Sequence, residues 1–506
     1  MKNTTFLSIF VLLFLLVSCK KTEENPAPTT PQGTPLAFLL KNTGQAYGKG
    51  LSVDKNDNFY YTSLFQGTLE GKSISSVGGI DNYFAKHDKN GNLIWERSFG
   101  GTGSTTVAHG IDTDDAGNVY LAGYFGVDGQ NASRTINFGN GKTAVSKSDF
   151  DVFVAKYDAL GTAQWVFALG NSAGSTEERA WDIVVEANGN FYISGAFSGT
   201  VDFNPLGTAR NLSTTGIGHF LAKYNSSGEN IWAIKFDANI TNLFTEGYTT
   251  VDFDQNGNVF LAGVYRNSLT IGTTNLTSAG NSDFFLASFN ASNGNANWAK
   301  SFGGAGNDIV SPGAMRVNKN GEPHITGRFS GSSNFGGTNL TSNSAGNVFV
   351  LACTNAGSTK WAIVCQSSEG LDGGHRVDFD AQNNVYVAGW FRGTTNFNGK
   401  GTANITSNGT SDAGDVFLAK YNSNGDYVWA KNIGGVVSGA DNLAICAGLG
   451  VDSQGNSIIT GKVYGTNIDF DTHATETFML SSSGQDDCFV AKYTTNGEIF
   501  KNWEEK

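Results

Sequence analysis

Residues 110–123 read GIDTDDAGNVYLAG and residues 151–165 read DVFVAKYDALGTAQW. In the first stretch, apolar and polar residues alternate, break at Asp114–Gly117, and alternate again, which describes two short strands joined by a tight turn. The second begins as another alternating strand, turns through Asp158 and Gly161, and enters a further strand carrying Trp165. The unit therefore supplies four antiparallel strands, A to D in chain order.

The same unit recurs along the chain. Copies of the A–B phrase begin at 50 (GLSVDKNDNFYYTS), 182 (DIVVEANGNFYISG), 250 (TVDFDQNGNVFLAG), 314 (AMRVNKNGEPHITG), 376 (RVDFDAQNNVYVAG) and 448 (GLGVDSQGNSIITG). Each is followed by a C phrase such as GHFLAKYNSSG at 218 or DVFLAKYNSNG at 415, and six copies by a Trp: Trp95, Trp165, Trp232, Trp298, Trp361 and Trp429. In the seventh copy Lys501 falls where the Trp is expected. A four-stranded repeat of roughly 60–70 residues is longer than common solenoid units and suits a propeller blade, whose sheet faces are buried between neighbours. The predicted fold is all-β: a seven-bladed β-propeller of four-stranded antiparallel blades over residues 36–506, with blades starting near 50, 110, 182, 250, 314, 376 and 448. Leu36 to Lys41 resembles a strand D with no A, B or C before it, so it is expected to complete the last blade and close the ring.

Composition agrees. The 506 residues include 66 Gly and only 7 Pro, with 12% aromatic and 15% charged residues, which favours short strands and tight turns over long helices. The net charge of −12 and the lack of a basic run beyond Lys20–Lys21 argue against a nucleic-acid partner. At the N-terminus, Lys2, the apolar run Phe6–Val17 and Leu16-Val17-Ser18-Cys19 form a signal-peptide pattern (residues 1–18). The last four residues are similar to a bacterial lipobox, which implies lipidation at Cys19. Residues 19–35 hold four of the seven prolines and read as a flexible tether. Cys353, Cys365, Cys446 and Cys488 have no framework or zinc spacing, and disulfides and buried free thiols both remain open.

The phrases GIDTDDAGNVYLAGYF and DVFVAKYDALGTAQW resemble the SBBP family of bacterial β-propeller repeats, and the resemblance extends over residues 36–506. The SCKK leader is similar to those of Bacteroidetes lipoproteins. The resemblance implies a propeller and leaves its activity open. Lys20 after the lipidated Cys19 favours the outer membrane, facing either the periplasm or the cell surface.

Candidate binding residues come from positions where the repeat diverges. Strand A lines the channel of propellers in general. Its first residues are His109, Trp181 with Asp182, and His375 with Arg376, while the end of strand B supplies Arg328 and Trp390. Aromatic faces beside hydrogen-bonding groups suit a sugar or peptide ligand. Between B and C each copy carries an excursion with a recurrent Phe, such as TINFG at 135 and TTNFN at 394, expected to extend the B–C hairpin and wall the same face.

Three sharper chemistries find little support. DTDDAG at 112 and DFDQNG at 252 begin like a calcium loop but lack the later Glu, so no metal is expected. AKYDALGTAQW resembles the repeat of pyrroloquinoline-quinone enzymes but lacks its Thr, and no vicinal Cys pair accompanies it, so no cofactor is expected. No GxSxG or HExxH is present to mark a catalytic residue. The expected function is a non-enzymatic binding or scaffold module for glycan or protein at the cell envelope. The alternatives are a propeller hydrolase or lyase acting on polysaccharide, and a structural part of an envelope assembly.

Overall fold

The computed structural model describes residues 33–502, apart from 130–131, 172–176, 244–245, 371, 409–413, 436–442 and 474. The proposed signal peptide, Cys19 and most of the tether lie outside the described residues. Among these residues there is no helix; seven four-stranded antiparallel sheets form a ring. The inner strands A are Gln45–Val53, Thr105–Thr113, Arg179–Val185, Thr249–Phe253, Ile309–Val317, Gly373–Phe379 and Leu443–Val451, and each packs against the next until the last meets the first. Alternating strand residues fill the spaces between blades, so strands B and C are buried on both faces, as in Val119–Gly126 and Asn347–Cys353.

The ring closes as expected. Ala37–Leu40 pairs antiparallel with Asp487–Tyr493, placing the N-terminal strand as strand D of blade 7. Thr34–Pro35 also pairs with Lys501–Asn502, so both chain ends are held in one blade.

A latch repeats between blades. The turn Asp of the A–B hairpin accepts two backbone N–H bonds, as Asp114 does from Ala116 (3.0 Å) and Asn118 (2.9 Å). In the calcium-like phrases Asp114 and Asp254 are thus occupied within their own turns. In each of six blades the strand-D indole donates to a carbonyl in the next blade's C–D turn, from Trp95 to Ala159 (3.0 Å) through Trp429 to Thr495 (3.0 Å). The Lys of the AKY phrase joins it in several blades: Lys156 and Trp165 both donate to the Ser226 carbonyl. In blade 7 the Trp position is held by Leu36, which covers Gly91 of blade 1, and not by Lys501. The leucine side chain has no N–H to offer; Lys492 bonds the Lys89 carbonyl (2.8 Å) while pairing with buried Asp452 (2.8 Å).

The B–C excursions form an outer girdle, not a wall around the channel. Among the described residues, only in blade 3 do they simply lengthen the hairpin, Phe191–Asp202 with Asn211–Tyr224. In blades 5, 6 and 7 the excursion ribbon folds outward and pairs with strand D of the preceding blade, as in Gly303↔Asn334 and Gln366↔Asn396. The recurrent Phe is buried, and the AKY Tyr hydroxyl donates to its carbonyl: Tyr157 to Phe138 (3.0 Å) and Tyr421 to Phe397 (2.9 Å). These ribbons recur because they are structural. The four cysteines after Cys19 are buried free thiols.

Candidate functional site

Antiparallel order puts the A–B and C–D turns on one face of the ring and the starts of strands A on the other. At that second face the divergent strand-A position has a common cause. In blades 2, 3, 6 and 7 the register with strand B slips by one residue, leaving His109, Trp181, His375 and Ala447 as single-residue β-bulges. In blade 1, Lys49 and Gly50 together oppose Thr62, and in blade 5 residues 311–314 oppose Thr326. A bulged residue leaves the ladder and is re-aimed, which suits presentation into a central cavity. The glycine ending strand B permits it: a Cβ on Gly123 would fall on the Val107 carbonyl beside the bulge.

The mouth is a cavity of about 280 Å³, lined among others by Tyr47, Lys49, His109, Tyr248, Arg328, His375, Arg376 and Trp390. Five of the seven sequence-selected residues meet there: His109, Arg328, His375, Arg376 and Trp390. The other two do not line the opening. Trp181 is 2% exposed, edge-on to His109 (4.7 Å) and Tyr248 (4.9 Å), with its indole N–H buried and without a partner among the described residues. Asp182 is buried beneath, accepting from Thr250 Oγ1 (2.9 Å) and the Val251 N–H (3.1 Å). Their bulky or charged character marks them in sequence, but burial cannot be read from a repeat position. Tyr47, Lys49 and Tyr248 were missed, although Lys49 stands at the position aligned with His109.

Arg376 floors the cavity. Its guanidinium donates to the Pro312 and His375 carbonyls and reaches the Lys49 carbonyl across the channel (3.4 Å). Gly313, at φ +69°, leaves the space that this guanidinium occupies. Below lies a constriction of about 10 Å³ lined by Arg316, Arg376 and Asp182, at most one water wide. Deeper, the strand-A position facing the axis carries Asp112, Asp252 and Asp378 in alternate blades. Each bridges to the blade after it by accepting a strand-A N–H: Val185 (2.8 Å), Val317 (2.7 Å) and Val451 (2.8 Å). Arg316 stands among them and pairs with Asp182 (3.6 Å). Burial opposes its charge, but Asp182, Asp252, Asp378 and Asp112 hold its pKa above the ordinary arginine value. Burial likewise pushes Asp252 up to about 7 and Asp378 up to about 6, with Arg316 working against it.

The mouth has the opposite character. Among the described residues, no carboxylate lines it. Burial, then Arg376 and Lys462, lowers Lys49 to about 7. Burial takes His375 down to about 4 and His109 well below its ordinary value, so both imidazoles are neutral at pH 7. His375 Nδ1 sits 2.8 Å from the Cys446 carbonyl, which only accepts; Nδ1 therefore carries the proton and Nε2 is left as an acceptor. Among the described residues, no group of three or more His, Cys, Asp or Glu is placed to hold a metal ion.

The chain is a seven-bladed β-propeller with a mouth cavity closed from below by its own side chains. Residues 94–124 match the SBBP family, described as a β-propeller repeat, and the chain carries that repeat. It is 24% identical over 380 residues to an uncharacterized WD repeat-containing protein of Acanthamoeba polyphaga mimivirus, covering 63% of this chain. The chain spans about a quarter (27%) of that relative's length. Similar solved structures include the quinohemoprotein alcohol dehydrogenase of Comamonas testosteroni, 12% identical with a TM-score of 0.41, covering 94% of this chain and 78% of the other. BamB of Moraxella catarrhalis is 11% identical with a TM-score of 0.34, covering 89% and 99% respectively. These likenesses are of fold and do not bear on what the mouth holds.

Proposed function

We propose that this chain is a recognition module that holds a glycan or a peptide at the propeller mouth, exported and carried at the outer membrane by a lipid on Cys19. One observation carries the reading. Side chains that the framework does not use converge on a single closed-ended cavity. The Lys49 ammonium, the Arg328 guanidinium, the Tyr47 and Tyr248 hydroxyls and the Trp390 N–H make no hydrogen bond to another described residue, and all line the mouth. Unpartnered donors beside aromatic faces are what a polar, ring-bearing ligand requires. At about 280 Å³ the cavity falls just below the usual range for ligand pockets, ~300–1,000 Å³, and suits one sugar ring or one peptide side chain. Screening the full chain on glycan and peptide arrays tests this. Binding is expected and is lost in Trp390→Ala with the melting temperature kept. Binding that survives Trp390→Ala, or no binder on either array, overturns it.

A further inference from the structure

We propose that the mouth takes an acidic sugar, a ring bearing a carboxylate, with Lys49 and Arg328 answering its charge and the mouth aromatics its ring. The inference rests on the recognition reading above and names the ligand class.

The charge pattern singles out an anion. The protein as a whole carries −12, yet among the described residues the lining of this cavity holds Lys49, Arg328 and Arg376 and no carboxylate. Elsewhere, cations at comparable burial have acidic partners. Lys492 pairs with Asp452 at 2.8 Å, Lys420 with Asp380 at 3.2 Å and Lys462, beside the mouth, with Asp486 at 2.7 Å. Lys49 has only the Tyr47 ring, 3.9 Å from its nitrogen, and Arg328 has no ion-pair partner among the described residues. Unpaired cations facing one cavity cost free energy in the empty protein, and a bound anion removes that cost. The Arg376 guanidinium is committed to backbone carbonyls and serves as the floor, which leaves Lys49 and Arg328 for the ligand.

The rest of the lining favours a sugar over an acidic peptide. Trp390, Tyr47 and Tyr248 bring three aromatic rings to the lining. The neutral His375 offers an acceptor for a hydroxyl, a group an acidic side chain lacks. The cavity is short and closed below, which suits a single ring better than an extended peptide running along a strand. The low pKa of Lys49 adds a signature. The charged and titratable groups facing it are Tyr47, His109, His375, Arg376 and Lys462, and the cations among them disfavour its proton. A bound carboxylate restores that proton, so acidic-sugar binding takes up protons near pH 7–8.

The test is titration calorimetry of the full chain with glucuronate- and galacturonate-terminated oligosaccharides, the matching neutral glucose and galactose forms, and a Glu-rich peptide. Acidic sugars are expected to bind at least ~10-fold tighter than their neutral counterparts, with that preference abolished in Lys49→Met and reduced in Arg328→Gln. Lys49→Gln and the loss of the preference at high salt provide readouts independent of any one variant's folding. Equal binding of neutral and acidic sugars, still dependent on Trp390, overturns the charge assignment and leaves the recognition reading standing. Tight binding of the peptide without the acidic sugars overturns the sugar assignment. No binding of any probe at the mouth overturns both.

Discussion

The turn face and the mouth face are opposite ends of the same strands, built by opposite rules. At the turn face the blades reuse a few groups, some that reach the next blade and some that tie a blade's own strands together. Trp95, Trp165, Trp232, Trp298, Trp361 and Trp429 all donate to the next blade's C–D turn. Lys223, Lys420 and Lys492 pair with the A–B turn acids Glu186, Asp380 and Asp452. At the mouth, the bulge positions carry a different residue in almost every blade, and several side chains there make no hydrogen bond to another described residue. Groups that hold the ring recur because each does the same work; groups that face the cavity vary because the ring does not need them.

The contrast breaks most visibly at the closure. Deleting residues 36–40 removes strand D of blade 7 and uncovers the apolar layer around Leu36, Leu40, Cys488 and Val490. A drop in melting temperature on the order of 10 °C is expected, and an unchanged melt contradicts the closure. Next comes the blade without a Trp. Lys492→Met leaves Asp452 buried without its cation and the Lys89 carbonyl without a side-chain donor; urea unfolding should show a loss of about 3–5 kcal/mol. Lys156→Met should cost only ~1 kcal/mol, because Trp165 still serves Ser226 and Lys156 stands 4.0 Å from Asp114, a weaker pair than Lys492 with Asp452. Equal losses would show that the Trp does not share the latch.

Between the two faces, Arg316→Met should lower the melting temperature by an amount that depends on pH. Asp252 and Asp378 have folded pKa values of about 7 and about 6, above the unfolded value of ~3.9. As the pH falls below 7 the folded state takes up protons that the unfolded chain does not, so the cost of the buried carboxylates is full above pH 7 and is relieved toward pH 5. Removing their cation should therefore destabilise more at pH 8 than at pH 5; a pH-independent loss contradicts the axial cluster. The smallest effect on stability belongs to the mouth. Lys49→Met should shift stability by no more than ~0.5 kcal/mol while weakening acidic-sugar binding. In the wild type that binding should fade from pH 7 to pH 9 as Lys49 loses its proton, with binding of neutral sugars flat.

Much of this was legible in the chain itself. Alternation, turn residues and the six tryptophans define the blades, and the orphan run at Leu36 announces the closing strand, because these features are local or repeated. Features that depend on a neighbouring blade were not. Lys501 aligns with the tryptophans in sequence, but Leu36 takes their place because the seventh strand D comes from the other end of the chain. The recurrent Phe of the excursions reads as part of a binding wall, whereas each ribbon is fastened outward to the strands around it. Trp181 and Asp182 diverge from the repeat as His109 and His375 do, and only packing against Tyr248 and Thr250 shows that they lie beneath the mouth.

The central claim is that the mouth, and not the girdle or the turn face, is where a ligand sits. A crystal structure of the full chain soaked with the tightest acidic oligosaccharide tests it most directly. The account predicts density for one sugar ring above Arg376, its carboxylate within hydrogen-bond distance of Lys49 or Arg328 and its ring against Trp390. An empty mouth with the sugar bound on the excursion ribbons or at the turn face would contradict it.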